Sequence, residues 1–291
     1  MMRAAQQRGH AVWVCEQEGL HWARGTVSAA AQRISLTDND EDWYRAHETQ
    51  ARPLGQFGAS LMRKDPPFDL EYVASTWLLG EAERQGAKVF NSPRGLRDHN
   101  EKFAIAEFSS FTVPSLVARR MAELQGFIAE HRDAVLKRLD GMGGAGIFRV
   151  RHDDPNRNVI VETVSEWGTR SVMAQRYIPE IAQGDKRVIL IDGKAVPHCL
   201  ARIPKPGDSR GNLAAGARGV AQPLTARHRE IAGAVGPALA ARGLLVVGLD
   251  VIGDWLTEVN VTSPTCFREI QDQAGCDVSG MFLDALEKKV Q

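Results

Sequence analysis

The sequence predicts an α/β (α+β) protein in which a small parallel domain precedes a larger domain with antiparallel or mixed sheets. Two observations carry this prediction. Short apolar runs alternate with helical patterns up to about residue 98, which is typical of parallel strand–helix units. From residue 113 onward, short strand-like runs follow one another closely with one or two helices among them, and such spacing favours antiparallel pairing. With 291 residues, the chain has room for two domains.

The predicted elements of the first domain begin with a helix. Residues 1–8 have helical character, Gly9 stands where a C-terminal cap is expected, and 11–15 has the pattern of a strand. Because a parallel α/β domain normally opens on a strand, we expect that a first strand and its loop are missing. Further elements are predicted in order: a strand at 59–62, an amphipathic helix at 69–86 and a strand at 87–90.

The second domain is predicted to consist mainly of strands. A helix is expected at 100–108 and another at 225–241, and the segment 204–219 has the composition of a long loop. Loops of that length in a domain are usually functional lids or disordered segments. The predicted strands are 113–119, 134–139, 146–151, 159–164, 171–178, 186–193 and 195–203, followed by a hairpin within 248–265.

Composition excludes several classes of protein. The chain has 36 basic and 36 acidic residues, and this balance gives no indication of a nucleic-acid partner. No apolar run approaches the roughly 20 residues that span a bilayer, and the N-terminus lacks the pattern of a signal peptide. The scattered cysteines predict a reducing, cytoplasmic location without a disulfide framework or a tetrahedral zinc site; they are Cys15, Cys199, Cys266 and Cys276.

The hairpin GLDVIGDWLTEVNVTSPT carries three oxygen-bearing side chains within apolar strands. Glu258 and Asn260 are two residues apart and therefore lie on one face of a strand. Asp250 joins that face only if the connection has an odd number of residues or the ladder contains a bulge, so we predict one of the two. An all-oxygen set of this kind suits Mg²⁺. The alternative is a solvated hairpin with polar residues at its rim.

A glycine-rich segment, LKRLDGMGGAGIFRV, matches the spacing of a dinucleotide-binding fingerprint. That fingerprint needs a helix after the glycines, whereas a strand pattern follows here, and the Walker form lacks its closing Gly-Lys-Ser/Thr. What remains is a strand, a glycine loop and a strand. Such a loop lets backbone N–H groups approach phosphate oxygens, and Lys137 on the preceding strand would supply a positive charge. The alternative is a glycine-rich hairpin without a ligand.

Basic residues also stand inside apolar strand patterns. Arg187 in GDKRVIL and Arg202 in CLARIP need anionic partners, and Arg210 lies in the long loop. A carboxylate or phosphate ligand would serve, and ordinary ion pairing is the alternative. Arg63 and Asp65 lie in MRKDPPFD, at the C-terminal end of a predicted strand, where open α/β sheets bind ligands. A rigid loop with exposed charges would explain the same residues.

Together these segments resemble bacterial glutathione synthetases, which are ATP-grasp ligases. The resemblance covers nearly the whole chain and rests on LMRKDPPFD, NEK, LDGMGGAGIFRV, GDKRV, CLARIP, RGNLAAGARG and GLDVIGDWLTEVNVTSPT, in that order. It implies an ATP-grasp domain at 102–287, with lobes at about 102–176 and 177–287, after a pre-ATP-grasp domain at 1–101. It also implies ATP-dependent joining of γ-glutamylcysteine to glycine through an acyl phosphate, with Mg²⁺ or Mn²⁺, in a cytoplasmic homotetramer without membrane or nucleic-acid partners.

The resemblance implies a role for each candidate residue. Arg187, Arg202 and Arg210 would stabilise the acyl phosphate and bind substrate carboxylates, and Asp250, Glu258 and Asn260 would be the metal ligands. The substrate peptide would contact Arg63, Asp65, Asn212, Ser263 and Thr265. ATP would be held by Lys102, Lys137, Gly141, Gly143, Gly144, Gly146, Gln175, Tyr177 and Ile178, the last three lying on the hinge that reads adenine. The 204–219 loop would close over the site and exclude water.

One departure from the family lies beside the strand lysine. Arg138 stands where the family usually has proline, and a proline would fix φ at that position. The first strand that we expect to be missing would be the second departure, and its loss would affect the peptide side of the expected site. Two alternatives stay open: another ATP-grasp carboxylate–amine ligase, and a nucleotide-binding protein with weak catalysis.

Overall fold

The N-terminal part of the chain combines an antiparallel sheet, a short parallel pair of strands and helices. The computed structural model describes residues 1–207, 211–213 and 216–291. Up to residue 98 the elements are α1 (Met2–Gln7), β1 (Val12–Val14), β2 (Leu20–Ala23), β3 (Thr26–Leu36), β4 (Tyr44–Pro53), β5 (Ser60–Leu61), α2 (Leu70–Arg84), β6 (Val89–Phe90) and α3 (Pro93–Asp98), with 3₁₀ turns at Gln17–Gly19 and Leu54–Gln56.

The predicted parallel sheet is confirmed only as a pair of strands. β5 and β6 pair in parallel, whereas β1 pairs antiparallel with β3, which also pairs with β2 and β4. Placing the 11–15 strand in the parallel sheet was therefore wrong. The sequence pattern missed the antiparallel sheet because β3 buries mainly alanine and valine on its inner face, while Tyr44–Ala51 of β4 is exposed on both faces.

Helix α2 shows how local sequence fixes the ends of an element. Its N-cap residue Asp69 accepts a hydrogen bond from the Tyr72 N–H at 2.9 Å, which satisfies one of the N–H groups left over at a helix start. Past the other end, Gly86 adopts φ +93°, a conformation that glycine reaches without steric cost. The predicted helix at 69–86 is confirmed.

The middle of the chain forms a four-stranded antiparallel sheet covered by two helices. The elements are a 3₁₀ helix (Phe103–Phe111), β7 (Ser115–Ala118), α4 (Met121–His131), β8 (Asp133–Arg138), β9 (Ile147–Arg151), α5 (Arg157–Ser165) and β10 (Val172–Arg176). The strands run in the order β7–β10–β8–β9. Buried residues of α4 and α5, among them Leu124, Ile128 and Val161, pack on one side of the sheet to form a separate apolar core.

Two predictions in this region need correction. The segment 159–164, predicted as a strand from its valines, lies in helix α5, where Val161 and Val164 are buried three residues apart on one face. The predicted helix at 100–108 is instead a 3₁₀ helix, Phe103–Phe111, which is interrupted by non-helical dihedral angles at Phe108. Tertiary burial overrode the strand preference of β-branched residues in the first case.

The last part of the chain forms a five-stranded antiparallel sheet with helices packed against it. The elements are a 3₁₀ helix (Pro179–Gln183), β11 (Asp185–Ile191), β12 (Lys194–Ile203), β13 (Arg218–Pro223), α6 (Ala226–Ala241), β14 (Val246–Ile252), β15 (Trp255–Asn260), α7 (Phe267–Ala274) and α8 (Val278–Val290). The strand order is β13–β12–β11–β14–β15. The predicted helix at 225–241 is confirmed as α6, with Thr225 as its N-cap.

The predicted loop at 204–219 ends slightly early, because β13 begins at Arg218. Residues 208–210 and 214–215 of this segment lie outside the described residues. In the part of the chain that the structure describes, no helix combines the length and apolarity that crossing a bilayer requires.

Candidate active site

A β-bulge aligns the three oxygen-bearing side chains of the C-terminal hairpin. The turn has two residues, and Ile252 pairs with Trp255, but the register shifts so that Asp250 lies directly opposite Glu258. The extra residue is Thr257, whose hydroxyl donates to the Asp250 carbonyl at 3.1 Å. Without the bulge, Asp250 would point to the other face of the sheet. Of the two predicted possibilities, an odd loop or a bulge, the structure has the bulge.

The pairing of neighbouring strands places further charged side chains in a row with Asp250 and Glu258. Arg187 of β11 is the partner of Asp250 on β14, which is in turn the partner of Glu258 on β15. One step along, Asp185 of β11 pairs with Arg202 of β12. Because residues two apart on a strand share a face, Asp185 and Arg187 point the same way. Two of the arginines predicted to face a ligand, Arg187 and Arg202, are therefore brought together with two of the predicted metal ligands.

Two guanidinium groups hold the Asp250 carboxylate. Arg187 donates from Nε to Oδ1 at 2.6 Å and from Nη2 to Oδ2 at 3.2 Å. Arg202 Nη2 lies 2.9 Å from Oδ2 of Asp250 and also bonds Asp185. The side chains of Asp250, Arg187 and Arg202, here called the Asp250 cluster, are all buried. Burial alone would raise the pKa of Asp250, but Arg187 and Arg202 outweigh it and hold that pKa below its ordinary value.

Two buried lysines face Glu258 across the cleft. Lys137 Nζ of β8 lies 3.4 Å from Glu258 Oε1, and Lys102 donates to the Gly141 carbonyl in the glycine loop. Burial would raise the pKa of Glu258, but the charges of Lys102 and Lys137 outweigh it and lower that pKa. The two buried ammonium groups carry more positive charge than the Glu258 carboxylate balances. This excess favours an anionic ligand between the lysines.

The glycine loop connects β8 and β9, as the sequence predicted. Gly143, Gly144 and Gly146 have φ values of +63°, +84° and +69°, the left-handed region that other residues enter at a steric cost. Gly141, Gly143 and Gly144 line the cleft together with both lysines, whereas Gly146 is not among the residues that line it. The loop therefore places backbone groups close to the space in front of the lysines.

The predicted hinge forms another wall of the same cleft. Gln175, Tyr177 and Ile178 all line it. The Gln175 side chain donates to Ser115 Oγ at 3.1 Å, and the Tyr177 N–H donates to the Asp133 carbonyl at 3.0 Å. The Ile178 N–H makes no hydrogen bond within the described part of the chain. A donor of this kind beside an apolar wall suits the ring nitrogen of a nucleobase.

Four of the five predicted peptide-binding residues meet at a second place, where the loop after β5 crosses the segment after β15. Arg63 Nη2 donates to the Pro264 carbonyl at 2.7 Å, and Ser263 donates to Asp65. Thr265 is exposed beside them. Burial lowers the pKa of Arg63, and the nearby charge of Arg187 lowers it further, so this cluster adjoins the row of charged residues.

The remaining predicted residues fall elsewhere. Asn212 lines the cleft beside Asp185 and not the peptide cluster. Arg210 lies outside the described residues. Asn260 shares the face of Glu258, and its amide donates to the Gly248 carbonyl at 3.2 Å.

The donor set of the hairpin fits Mg²⁺. Asp250, Glu258 and Asn260 offer carboxylate and amide oxygens, which hard divalent cations prefer, and an Mg²⁺ site needs few protein ligands when phosphates and waters complete it. Among the described residues, no group of three or more His, Cys, Asp and Glu side chains is placed to hold a metal ion. A site here therefore depends on the amide and on ligand oxygens.

Comparison with known proteins identifies the family. Residues 1–97 match the N-terminal domain of prokaryotic glutathione synthetase, and residues 101–275 match the ATP-grasp domain of the same enzyme. A glutathione synthetase of Ralstonia nicotianae is 57% identical over 99% of this chain and 89% of that protein. One of Nitrosomonas europaea is 56% identical over 100% of this chain and 92% of that protein.

The chain belongs to the prokaryotic glutathione synthetase family. Its fold is also that of solved ATP-grasp ligases. The ligase PsnB complexed with a minimal precursor has a TM-score of 0.66 at 19% identity, covering 100% of this chain and 94% of that one. A structure of PsnB with precursor, Mg and ADP has a TM-score of 0.58 at 19% identity, covering 89% and 85%. The predicted ATP-grasp fold and ATP-dependent ligase class are confirmed.

In this member of the glutathione synthetase family, Asp185 is a cleft residue that was not predicted from the sequence. Asp185 lines the cleft, and its Oδ1 is buried without a hydrogen-bond partner among the described residues. Burial raises the pKa of Asp185, and the Asp250 carboxylate adds to this against the opposing charge of Arg202. Asp185 immediately precedes the predicted strand at 186–193 and lies two residues before Arg187. Extending that strand by one residue would have placed both side chains on one face.

The departure at Arg138 leaves the strand lysine in place. Lys137 stays in the ladder of β8, opposite Met173 and Ile147. Arg138 turns to the other side, where it pairs with Asp140 at 3.0 Å and with Glu166 at 3.0 Å. Ion pairs therefore fix the stem of the glycine loop at a position where the family usually has a proline.

Proposed function

We propose that this protein is a glutathione synthase that joins γ-L-glutamyl-L-cysteine to glycine, with ATP converted to ADP and phosphate. Identity of more than half to glutathione synthetases over nearly the whole chain supports the choice of substrates. The observation that carries the chemistry is the meeting of Asp250 and Glu258 with Lys102 and Lys137 in one cleft.

The nucleotide would lie between the glycine loop and the hinge. Lys102 and Lys137 would neutralise its phosphates, and the backbone of Gly141–Gly146 would cover them. The Ile178 N–H and neighbouring main-chain groups would read the adenine. The hinge wall and the phosphate-facing lysines border one continuous cleft, which supports this placement.

Asp250, Glu258 and Asn260 would hold Mg²⁺, or Mn²⁺ in its place. A bound metal ion would supply positive charge that offsets the negative charge on the transferred phosphoryl group. The protein's part is to place these oxygens, which the bulge at Thr257 does by bringing Asp250 and Glu258 to one face.

The reaction would proceed in two transfers. A carboxylate oxygen of the cysteine residue attacks the γ-phosphorus, the bond to the bridging oxygen breaks, and ADP leaves. The glycine amine then attacks the acyl carbon, the carbon–oxygen bond to phosphate breaks, and the amine loses a proton. Arg187 and Arg202, with Arg210 by resemblance to the family, would stabilise the negative charge of both transition states.

The peptide substrate would lie beside that row of arginines. Arg63, Asp65, Ser263 and Thr265 are gathered next to Arg187, and their polar groups suit the amino and carboxylate groups of a dipeptide. Asn212, on the cleft wall, would contact the reacting end of the peptide. The loop at 204–219 would close over the site and protect the acyl phosphate from water.

Measuring ADP release in the presence of Mg²⁺ tests the proposal. The proposal predicts release that requires both γ-glutamylcysteine and glycine and yields glutathione in equal amount. Release with other carboxylate and amine pairs would identify a different ATP-grasp ligase. Tight nucleotide binding without turnover would identify a nucleotide-binding protein instead.

We further propose that the enzyme acts in the cytoplasm as a homotetramer, with its domain boundary at residues 101–102. Size-exclusion chromatography with light scattering would show four copies of the 31.9 kDa chain. A monomer at micromolar concentration would contradict this part of the proposal and leave the chemistry intact.

A further inference from the structure

The outer edge of the metal-bearing strand is covered by the segment that links the two parts of the chain. β15 is the last strand of its sheet, so N–H groups on its outer side need partners from elsewhere. The Val259 N–H donates to the Glu101 carbonyl at 2.8 Å. Two residues further, the Val261 N–H donates to Oε1 of the Glu101 side chain at 2.9 Å. Glu101 thus uses both its backbone and its side chain on this edge.

The same carboxylate oxygen accepts two further hydrogen bonds. The Thr262 N–H donates to it at 2.9 Å and the Thr262 hydroxyl at 2.8 Å. Val261 is 0% and Thr262 3% exposed, so water does not reach these groups. Removing the Glu101 carboxylate would leave two N–H groups and a hydroxyl buried without an acceptor, an arrangement that proteins avoid by moving the backbone.

A buried amide holds the same strand exit from the other side. Asn91 donates from Nδ2 to the Val261 carbonyl at 2.8 Å and to the Val246 carbonyl at 2.8 Å. Its Oδ1 accepts from the Val246 N–H at 2.9 Å. Val246 is the first residue of β14. Side chains therefore fix both backbone groups of Val261, Glu101 the N–H and Asn91 the carbonyl, and Asn91 also fixes the start of the neighbouring strand.

We propose that Asn91 and Glu101 form a clamp that positions the metal ligands Glu258 and Asn260. The clamped residues alternate with the ligands along the strand, since Val259 follows Glu258 and Val261 follows Asn260. Metal affinity depends on placing ligand oxygens to within a few tenths of an ångström, so groups behind the ligands strongly affect it. Asn91 and Glu101 are positioning residues, and their role rests on the metal site of the proposed function.

The clamp also ties the metal strand to the glycine loop. On one side of Glu101, the Asn100 amide donates to the Leu139 carbonyl at 3.0 Å. On the other side, Lys102 donates to the Gly141 carbonyl. Three consecutive residues therefore join the phosphate-covering loop to the strand that carries the metal ligands. Mg²⁺ is expected to increase the affinity for the nucleotide. Loss of the clamp should reduce this increase more strongly than it reduces the affinity for the nucleotide without Mg²⁺.

Calorimetry of ADP binding with and without Mg²⁺ tests the clamp in the full-length protein. Glu101→Ala should reduce the Mg²⁺-dependent gain in ADP affinity by at least about tenfold, since changes behind metal ligands typically cost that much. Binding without Mg²⁺ should stay within about threefold of wild type. Glu101→Gln keeps an oxygen where all three donors meet, so its gain should stay within about threefold of wild type.

Glu107→Ala provides a matched control. It removes a carboxylate six residues further on, which pairs at 2.6 Å with Arg242 at the surface and not with the metal strand. Its Mg²⁺-dependent gain should equal that of wild type. A Glu101→Ala protein that keeps the full gain would overturn the proposal. So would a Glu101→Gln protein that loses as much as the alanine variant, because the accepting oxygen is retained.

If thermal unfolding shows that Glu101→Ala does not fold, Thr262→Val tests the clamp instead. This change removes one of the three donors at nearly constant volume and should lower the gain severalfold; an unchanged gain would overturn the clamp. Glutathione formation by the wild-type protein is measured separately. Its absence would reject the proposed function, while ADP binding, which needs no turnover, would still report on the clamp.

Discussion

Asp250→Asn should destabilise the fold as well as stop catalysis. The change keeps the shape of the side chain and removes its charge. In the native protein that charge is shared by Arg187, through bonds of 2.6 and 3.2 Å, and by Arg202, at 2.9 Å. All three groups are buried, so the asparagine variant leaves guanidinium charge without its partner in a place that water does not reach.

The size of the effect follows from this geometry. Neutralising one partner of a buried ion pair costs about 3–5 kcal/mol. Arg202 keeps its bond to Asp185, which places the expected loss near the lower end, about 3 kcal/mol. For a chain of this size, about 2–4 °C per kcal/mol then lowers the midpoint of thermal unfolding by roughly 6–12 °C. Turnover should fall at least about 100-fold, because the residue is also a proposed metal ligand.

Glu258→Gln is the comparison that separates the two effects. Glu258 pairs with Lys137 at 3.4 Å, and its side chain is 18% exposed against 4% for Asp250, so its loss should lower the unfolding midpoint less than Asp250→Asn does, while turnover falls as steeply. Differential scanning calorimetry and a coupled ADP assay measure both quantities. An Asp250→Asn protein as stable as wild type would refute the buried cluster, and wild-type turnover in Glu258→Gln would refute the metal assignment.

Three further outcomes are expected. Gly143→Ala should weaken ADP binding about tenfold in calorimetry. Nothing lies within 4 Å of the added Cβ, so the only penalty on the bound loop is the steric cost of an alanine at φ +63°, roughly 1–2 kcal/mol. Unchanged affinity would argue against that loop conformation. Arg63→Ala should raise the Michaelis constant for γ-glutamylcysteine severalfold and leave that for ATP unchanged; equal effects on both would contradict the peptide role. Treatment with EDTA should abolish ADP release and added Mg²⁺ restore it, and activity that survives chelation would exclude the metal requirement.

The sequence predicted elements correctly where local signals, such as helix caps, determine their ends. Asp69 and Gly86 mark the ends of α2, and Thr225 marks the start of α6, because capping is a local interaction. The antiparallel N-terminal sheet escaped notice because most of β4 is exposed on both faces and therefore lacks a period of two. The helix at 159–164 was mistaken for a strand because its valines favour strands, although burial three residues apart marks a helix.

The candidate site was predictable where its residues share one strand or one turn. The positions of Glu258 and Asn260, and the requirement for an odd loop or a bulge at Asp250, follow from the strand period alone. The bonds of Arg187 and Arg202 to Asp250 depend on which strands are neighbours, and a single sequence does not contain that information. The same holds for Glu101, whose partners Val261 and Thr262 lie 160 and 161 residues away in the chain.

Diffraction from crystals grown with Mn²⁺ and a non-hydrolysable ATP analogue would show whether the hairpin side chains bind the cation, because anomalous scattering locates the metal independently of the protein. We expect a peak within about 2.0–2.3 Å of oxygens from Asp250, Glu258 and Asn260, in contact with phosphate oxygens below the glycine loop. A metal bound elsewhere, with Asp250 and Glu258 still paired only to Arg187, Arg202 and Lys137, would contradict it.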